Sequence, residues 1–148
     1  MPGDHAYVEQ NTRERERLRV LVARLTDDDL RRAVTDRWTV AEVLGHLAFW
    51  DARALSLAEK LEAGHPFTPA DHEPDDVDAI NAAVHALVRA LPPRQVAELT
   101  LRLAAETDRR VAALDPQRLW PEDQGCPLNP VRATHRAEHL DDIEAALR

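Results

Sequence analysis

The chain has 148 residues, 44% of them hydrophobic and 31% charged, which predicts one globular domain over residues 1–148 with a buried core. The formal net charge of −8 argues against nucleic acid or an anionic membrane surface as a partner, and no apolar run approaches the ~20 residues needed to span a bilayer. The N-terminus lacks the basic and apolar regions of a signal peptide, and the single cysteine, Cys126, allows no internal disulfide, so we expect a cytoplasmic protein.

The composition favours helices, because Ala, Leu, Arg and Glu dominate, while glycine contributes only 4 residues and aromatic side chains 4%. The first helix is predicted to run from about Asp4 to Leu25. Residues Thr26 to Asp29 then predict a cap and a turn, which lead into a short segment ending near Val34.

The second helix has the clearest start signal in the chain. Thr39 and Glu42 fit the S/T-x-x-E capping box, in which each side chain accepts a hydrogen bond from a backbone N–H at the helix start. The helix is predicted to run to about Glu62 and to end at Gly64. A rotation of ~100° per residue places His46 at the edge of its apolar stripe.

The middle of the chain is predicted to alternate loops and helices. Residues Gly64 to Asp76 contain three prolines and several acids, and they indicate a crossover loop. Helical patterning resumes from about Val77 to Leu91 and must break or kink at Pro92-Pro93, because proline lacks the backbone donor and its ring clashes with the preceding turn. A further helix from Arg94 to Leu114 and a second loop from Asp115 to Pro127 follow.

The last helix is predicted to begin with Asn129 as its N-cap and Pro130 in its first helical position. Within it, in the segment THRAEHL, His135 and His139 stand four residues apart, so both imidazoles project from one helix face. The pattern as a whole predicts an all-α fold: a four-helix bundle with a long crossover loop and room for one extra helix in the kinked middle segment.

Three histidines form the candidate site. Two imidazoles on one face supply two ligands of a catalytic zinc site, which usually has three protein ligands and one open position. His46 is the best third ligand, because all three histidines fall in the first turns of their helices, and the two helices could begin at one end of the bundle. A zinc-protease motif is excluded, since Arg136 replaces the required glutamate. No role is assigned to the remaining histidines, which are His5, His65, His72 and His85.

Two motifs in this order resemble the DinB/YfiT-like metalloenzymes. The first is WTVAEVLGHLAFWD at residues 38–51 and the second is HRAEHL at residues 135–140. Members of that family have a tryptophan before the second helix, a histidine within it and an HxxxH in the final helix. The resemblance covers essentially the whole chain, and it implies that His46, His135 and His139 bind one divalent metal, usually zinc or nickel.

The resemblance also implies a class of activity. Characterised relatives include mycothiol-dependent maleylpyruvate isomerase and bacillithiol transferases, in which a metal with an open position holds a thiol as its thiolate. The implied function is therefore transfer of a low-molecular-weight thiol to a small electrophilic substrate. A metal-dependent hydrolase and a non-catalytic protein that binds a metal or a small ligand stay open, as does a homodimer.

Five further residues are weaker candidates, each with an alternative role. Trp50 is one turn after His46 and would line a pocket or pack in the core, while Glu42 would touch the site or only cap its helix. Asn81 would face the cavity or bond along its own helix. Asp142 would orient a histidine or lie exposed on the surface. Cys126 would be a reactive thiol, a fourth ligand or a passive loop residue.

Overall fold

The computed structural model describes residues 5–72, 74–119 and 126–148, and within them the fold is all-helical with no strand, as the composition predicts. The described residues form seven helices: α1 (Ala6–Arg24), α2 (Asp27–Arg31), α3 (Val40–Glu62), α4 (Val77–Val88), α5 (Pro93–Ala113), α6 (Pro116–Leu119) and α7 (Ala133–Ala146). Helix α3 packs against α4, α5 and α7, and α1 packs against α5 and α7. The four long helices thus form the predicted bundle, and α4 is the extra helix on its flank.

Two apolar clusters make up the core. Members of the first include Leu18, Leu21, Val40, Leu44, Ala97, Ala104, Leu140 and Ile143. Members of the second include Tyr7, Ala54, Leu57, Leu61, Val111, Leu114, Leu119 and Leu128. In α1, α3 and α5, one end of the helix belongs to the first cluster and the other end to the second. Helix α7 belongs to the first cluster, and Leu128, in the segment before it, belongs to the second. The two clusters therefore follow one another along the bundle.

A buried ionic layer separates the two clusters. Arg136 of α7, only 1% exposed, donates to the carboxylate of Asp51 of α3 at 3.1 and 3.2 Å. It also donates to both oxygens of Asp108 of α5 at 2.8 Å. Because buried charges must be paired and hydrogen-bonded, these contacts fix α3, α5 and α7 relative to one another. The sequence analysis did not predict this layer.

The start and end of α3 agree with the sequence. Thr39 and Glu42 form the predicted capping box, and Gly64 follows the helix with a φ of 77°, the left-handed conformation that glycine adopts without strain. Inside the helix, a Cβ on Gly45 would collide with the methyl groups of Val88 at the end of α4. The absence of a side chain at this position lets α4 pack closely beside His46.

The predicted start of the last helix is wrong. Helix α7 begins at Ala133, and Asn129 caps only the N–H of Val131 in the turn before it. The side chain of Asn11, in α1, accepts from the backbone N–H groups of Arg132 and Ala133 at 2.8 and 2.9 Å. A cap from another helix therefore replaces the local one that the sequence predicted.

Other boundaries differ by smaller amounts. The Val77 helix ends at Val88 rather than Leu91, and Leu87, which the pattern places on the apolar face, is 72% exposed. The break at Pro92-Pro93 is confirmed, since α5 starts at Pro93. The predicted crossover loop contains a 3-10 turn at Pro69–Asp71, and α6 lies within the second predicted loop.

Residues 120–125 of that second loop and the predicted start at Asp4 lie outside the described residues. In the part of the chain that the structure describes, no helix is both long enough and apolar enough to cross a membrane.

Candidate metal centre and the cavities beside it

The three predicted ligands come together. Helix α3 contributes His46, and successive turns of α7 contribute His135 and His139. The Nε2 atoms of His46 and His135 are 3.0 Å apart, and the three ring centroids are separated by 4.7 to 4.9 Å in edge-to-face arrangements. One nitrogen from each ring lies within 4.8 Å of the others, so the group could hold a metal ion.

The surroundings of the cluster keep two of its imidazoles neutral. Burial, with a smaller effect of His139, lowers the pKa of His46 from 6.5 to about 4. Burial also lowers the pKa of His135 to about 3, and the neighbouring histidines and arginines add to the shift. Both rings are therefore unprotonated at neutral pH, which is the form that a metal requires of its ligands.

The donor set fits a divalent transition metal. Two nitrogens bound tetrahedrally at ~2.0–2.1 Å from one zinc ion would be about 3.4 Å apart, close to the 3.0 Å between His46 and His135. Three imidazoles suit zinc, nickel and copper alike. The Nε2 atom of His46 faces His135, while its Nδ1 atom is buried and has no hydrogen-bond partner among the described residues.

A cavity of about 570 Å³, named here the Trp38 cavity, opens on one side of the cluster. His46 and His139 form part of its wall, together with Trp38 and His85. The His85 ring stacks on Trp38 with centroids 4.1 Å apart, and its Nε2 lies 3.1 Å from Oε2 of Glu42. Glu42 caps α3, which is one of the two roles predicted for it, and its carboxylate also pairs with His85 in the wall of this cavity.

A second cavity of about 480 Å³, the Arg53 cavity, adjoins the same cluster. All three histidines line it, and its remaining walls come from α3, α4, α7 and the segment before α7. These other lining residues include Trp50, Arg53, Asn81, Leu128, Asn129 and Arg132. His46, His139 and Asn81 line both cavities, so the histidine cluster lies where the two meet.

The remaining weak candidates, which are Trp50, Asn81, Asp142 and Cys126, have different surroundings. Trp50 donates its indole N–H to Oδ1 of Asn81 at 2.8 Å, which ties α4 to α3 beside the cluster. Asp142 lines the Trp38 cavity with a carboxylate oxygen 3.6 Å from Nδ1 of His139, although its side chain is 55% exposed. Cys126 is outside the histidine cluster and packs against the second apolar cluster, where burial raises the pKa of its thiol. A reactive thiolate at that position is disfavoured.

The buried ionic layer reaches the site through α7. Arg136 directly follows His135 in the chain. Arg132 lies one turn before Arg136, and its Nε donates to Oδ1 of Asp51 at 3.0 Å. Arg15 of α1 completes the layer with a 2.7 Å bond to Asp108. The layer thus holds in place the first turns of α7, which carry two of the three candidate ligands.

His85 and the arginines of the ionic layer are the residues that the sequence analysis missed. His85 stands four residues after Asn81 on the same helix face, so helical spacing from that candidate could have found His85. Arg136 was read only as the residue that excludes a protease motif. Its carboxylate partners are 85 and 28 residues away, and no local pattern indicates such a pairing.

Comparison with protein families gives one match. The sequence model of the DinB superfamily matches residues 10–140, a range that contains His46, His135 and His139. Searches of curated proteins and of solved structures found no match.

Proposed function

The chain belongs to the DinB superfamily, as its two motifs predicted, and from this premise we propose that it is a metal-dependent transferase joining a low-molecular-weight thiol to a small electrophile. His46, His135 and His139 would hold the ion, which we expect to be zinc or nickel. When bound there, a divalent ion would lower the pKa of a coordinated thiol and so supply a thiolate at neutral pH.

The arrangement of the two cavities is the observation that carries this proposal. A transferase has to bring two molecules to one reacting centre, whereas a hydrolase needs one substrate and water. The Trp38 cavity and the Arg53 cavity have volumes of about 570 and 480 Å³, and both reach His46 and His139. Each is large enough for a small organic molecule.

The chain's own residues would position the two reactants. One cavity would hold the thiol and the other the electrophile, each in contact with the histidine cluster, and the Trp50–Asn81 hydrogen bond would keep α3 and α4 together beside them. In the reaction, the sulfur electron pair forms a bond to the electrophilic carbon. The thiol proton passes to solvent water, the bond between that carbon and its leaving group breaks, and the leaving group departs with the electron pair of that bond. Proximity of two oriented reactants is itself a large part of such a rate enhancement.

Thiol dependence tests the proposal directly. We expect zinc- or nickel-loaded protein to conjugate monochlorobimane with a small thiol faster than metal-free protein does. His46→Ala should abolish the difference, whereas His65→Ala, which removes an exposed loop histidine, should leave it unchanged. Conjugation that is equally fast without metal, or in the His46 variant, would contradict the transferase proposal.

The hydrolase and the non-catalytic binding protein are distinguished by two further measurements on the same proteins. Metal-dependent hydrolysis of a p-nitrophenyl ester that needs no thiol would indicate the hydrolase. Metal retention without turnover of either substrate class would indicate a binding protein.

A further inference from the structure

The Arg53 cavity has an excess of positive charge. Two arginines, Arg53 and Arg132, line it. Among the described residues the cavity wall contains one carboxylate, Glu138, and this residue is exposed to solvent. A cavity of this size holds a small molecule, so its charge bears on which molecules it selects.

The guanidinium of Arg53 has no carboxylate partner among the described residues and has N–H donors left for a ligand. Its Nη2 donates to the backbone carbonyls of Asp71 and His72 at 2.7 and 3.1 Å, and its guanidinium lies 5.8 Å from the centre of the Trp50 ring. These contacts hold the side chain in place, and as far as the described residues show, carbonyls and an aromatic face leave its charge uncompensated. No carboxylate pairs with Arg53 within the described ranges.

Arg132 adds to this excess because it shares its counter-ion. Asp51 accepts from Arg132 through Oδ1 and from Arg136 through Oδ2. The remaining carboxylate of the layer, Asp108, pairs with Arg136 and Arg15. Three guanidiniums thus face two carboxylates, which leaves one net positive charge in the layer, and Arg132 is its member at the wall of the Arg53 cavity.

The Trp38 cavity has an excess of negative charge. Its charged lining residues are Arg37, Asp78 and Asp142, and the Glu42–His85 pair adds a third carboxylate nearby. An anionic group would be attracted to the Arg53 side of the histidine cluster and disfavoured on the other. The two sides therefore differ in what they can recognise, although they share His46 and His139.

We infer that the Arg53 cavity is a carboxylate-binding subsite, in which Arg53 and Arg132 hold a carboxylate of one reactant while its reacting end faces the histidine cluster. Guanidinium groups bind carboxylates through paired, charge-assisted hydrogen bonds. The inference deepens the proposed function, on which it rests, by giving the thiol a carboxylate substituent.

Binding of three small thiols to cobalt-loaded protein tests the inference without measuring turnover. The thiols are β-mercaptopropionate, β-mercaptoethanol and cysteamine, which carry a carboxylate, a neutral hydroxyl and an amine. The thiolate-to-cobalt absorption reports binding of each. We expect the carboxylate thiol to bind about ten-fold or more tightly than the neutral one, a typical effect of a charge-assisted hydrogen bond, and cysteamine to bind most weakly.

Two arginine variants make the comparison specific. Arg53→Gln should reduce the preference for β-mercaptopropionate to less than about three-fold, and Arg53→Lys, which keeps the charge, should retain part of it. The matched control is Arg37→Gln, which removes an arginine from the Trp38 cavity and should preserve the full preference. Equal affinities of the three thiols in the unaltered protein, or a preference that survives Arg53→Gln, would overturn the inference.

A second probe separates this inference from the proposed function. Succinate, which has carboxylates and no thiol, should raise the melting temperature of the unaltered protein and not that of Arg53→Gln. If succinate does so but no thiol produces the cobalt band, the subsite stands and the thiol-transfer proposal fails. If the thiols bind but succinate acts equally on both proteins, or on neither, the carboxylate subsite is wrong.

Discussion

At the scale of single residues, His46 and His135 keep their neutral form at pH values far below the usual pKa of histidine, mainly because both rings are buried, with smaller effects of the neighbouring histidines and, for His135, of Arg132 and Arg136. In the unfolded chain both would titrate near 6.5, whereas in the folded protein their pKa values are about 4 and 3. Between these limits the unfolded state binds protons that the folded state does not, so acid favours unfolding of the metal-free protein.

The pH dependence of stability follows from this difference. As the pH falls from about 6.5 to about 4, the free energy of unfolding of chelator-treated protein should decrease by up to about 1.4 kcal/mol per pH unit for each histidine. Urea unfolding at a series of pH values measures this slope. His135→Asn should make the slope shallower, and an unchanged slope in that variant would show that His135 is protonated normally in the folded state.

Residue patterns in the sequence identified the three clustered histidines but not His85. Helical spacing and the family motifs were sufficient for His135 and His139, because both lie on one helix. His85 contacts Trp38 and Glu42, and the latter is 43 residues away, so its role depends on how α4 packs. Only the fold brings His85 and Glu42 together beside the Trp38 cavity.

At the scale of the helices, the start of α7 depends on α1. Asn11 is buried, accepts from the backbone N–H groups of Arg132 and Ala133, and donates to the carbonyl of Pro130 at 2.8 Å. Asn-Pro at positions 129–130 is a good local start signal, but it yields only a turn here. A cap contributed from more than 100 residues away cannot be read from local sequence, which is why the predicted start was wrong.

Replacement of the two asparagines distinguishes these caps. Asn11→Ala should lower the free energy of unfolding by about 2–3 kcal/mol, because it leaves backbone donors of α7 unsatisfied in the interior. Asn129→Ala removes an exposed side chain and should cost less than about 1 kcal/mol. Urea unfolding followed by circular dichroism compares the two variants. Equal losses would contradict the assignment of the cap to Asn11.

At the scale of the whole molecule, the ionic layer joins four helices at one level. Arg136 contacts Asp51 of α3 and Asp108 of α5, and it donates to the carbonyl of Asn11 in α1 at 3.2 Å. Hydrophobic patterning predicted which faces of these helices are buried and therefore the bundle itself. It could not predict a charged layer within the core, because such residues resemble solvated positions in the sequence.

Removing Arg136, the central arginine of the layer, should lower the free energy of unfolding. Arg136→Met leaves Asp51 without one of its two ion pairs in a buried position, so we expect a loss of about 3–5 kcal/mol in the free energy of unfolding. Arg13→Met, at an exposed position, should change it by less than about 0.5 kcal/mol. Chemical denaturation measures both. Similar small losses in the two variants would mean that the layer contributes little to the fold.

The central claim is that His46, His135 and His139 together hold one divalent ion. Elemental analysis of protein that has been loaded with zinc and desalted tests it most directly, with His46→Ala, His139→Ala and the exposed-histidine control His65→Ala treated in parallel. We expect roughly one ion per chain in the unaltered protein and in the control, and little or none in the two site variants. Equal metal content in all four proteins would contradict it.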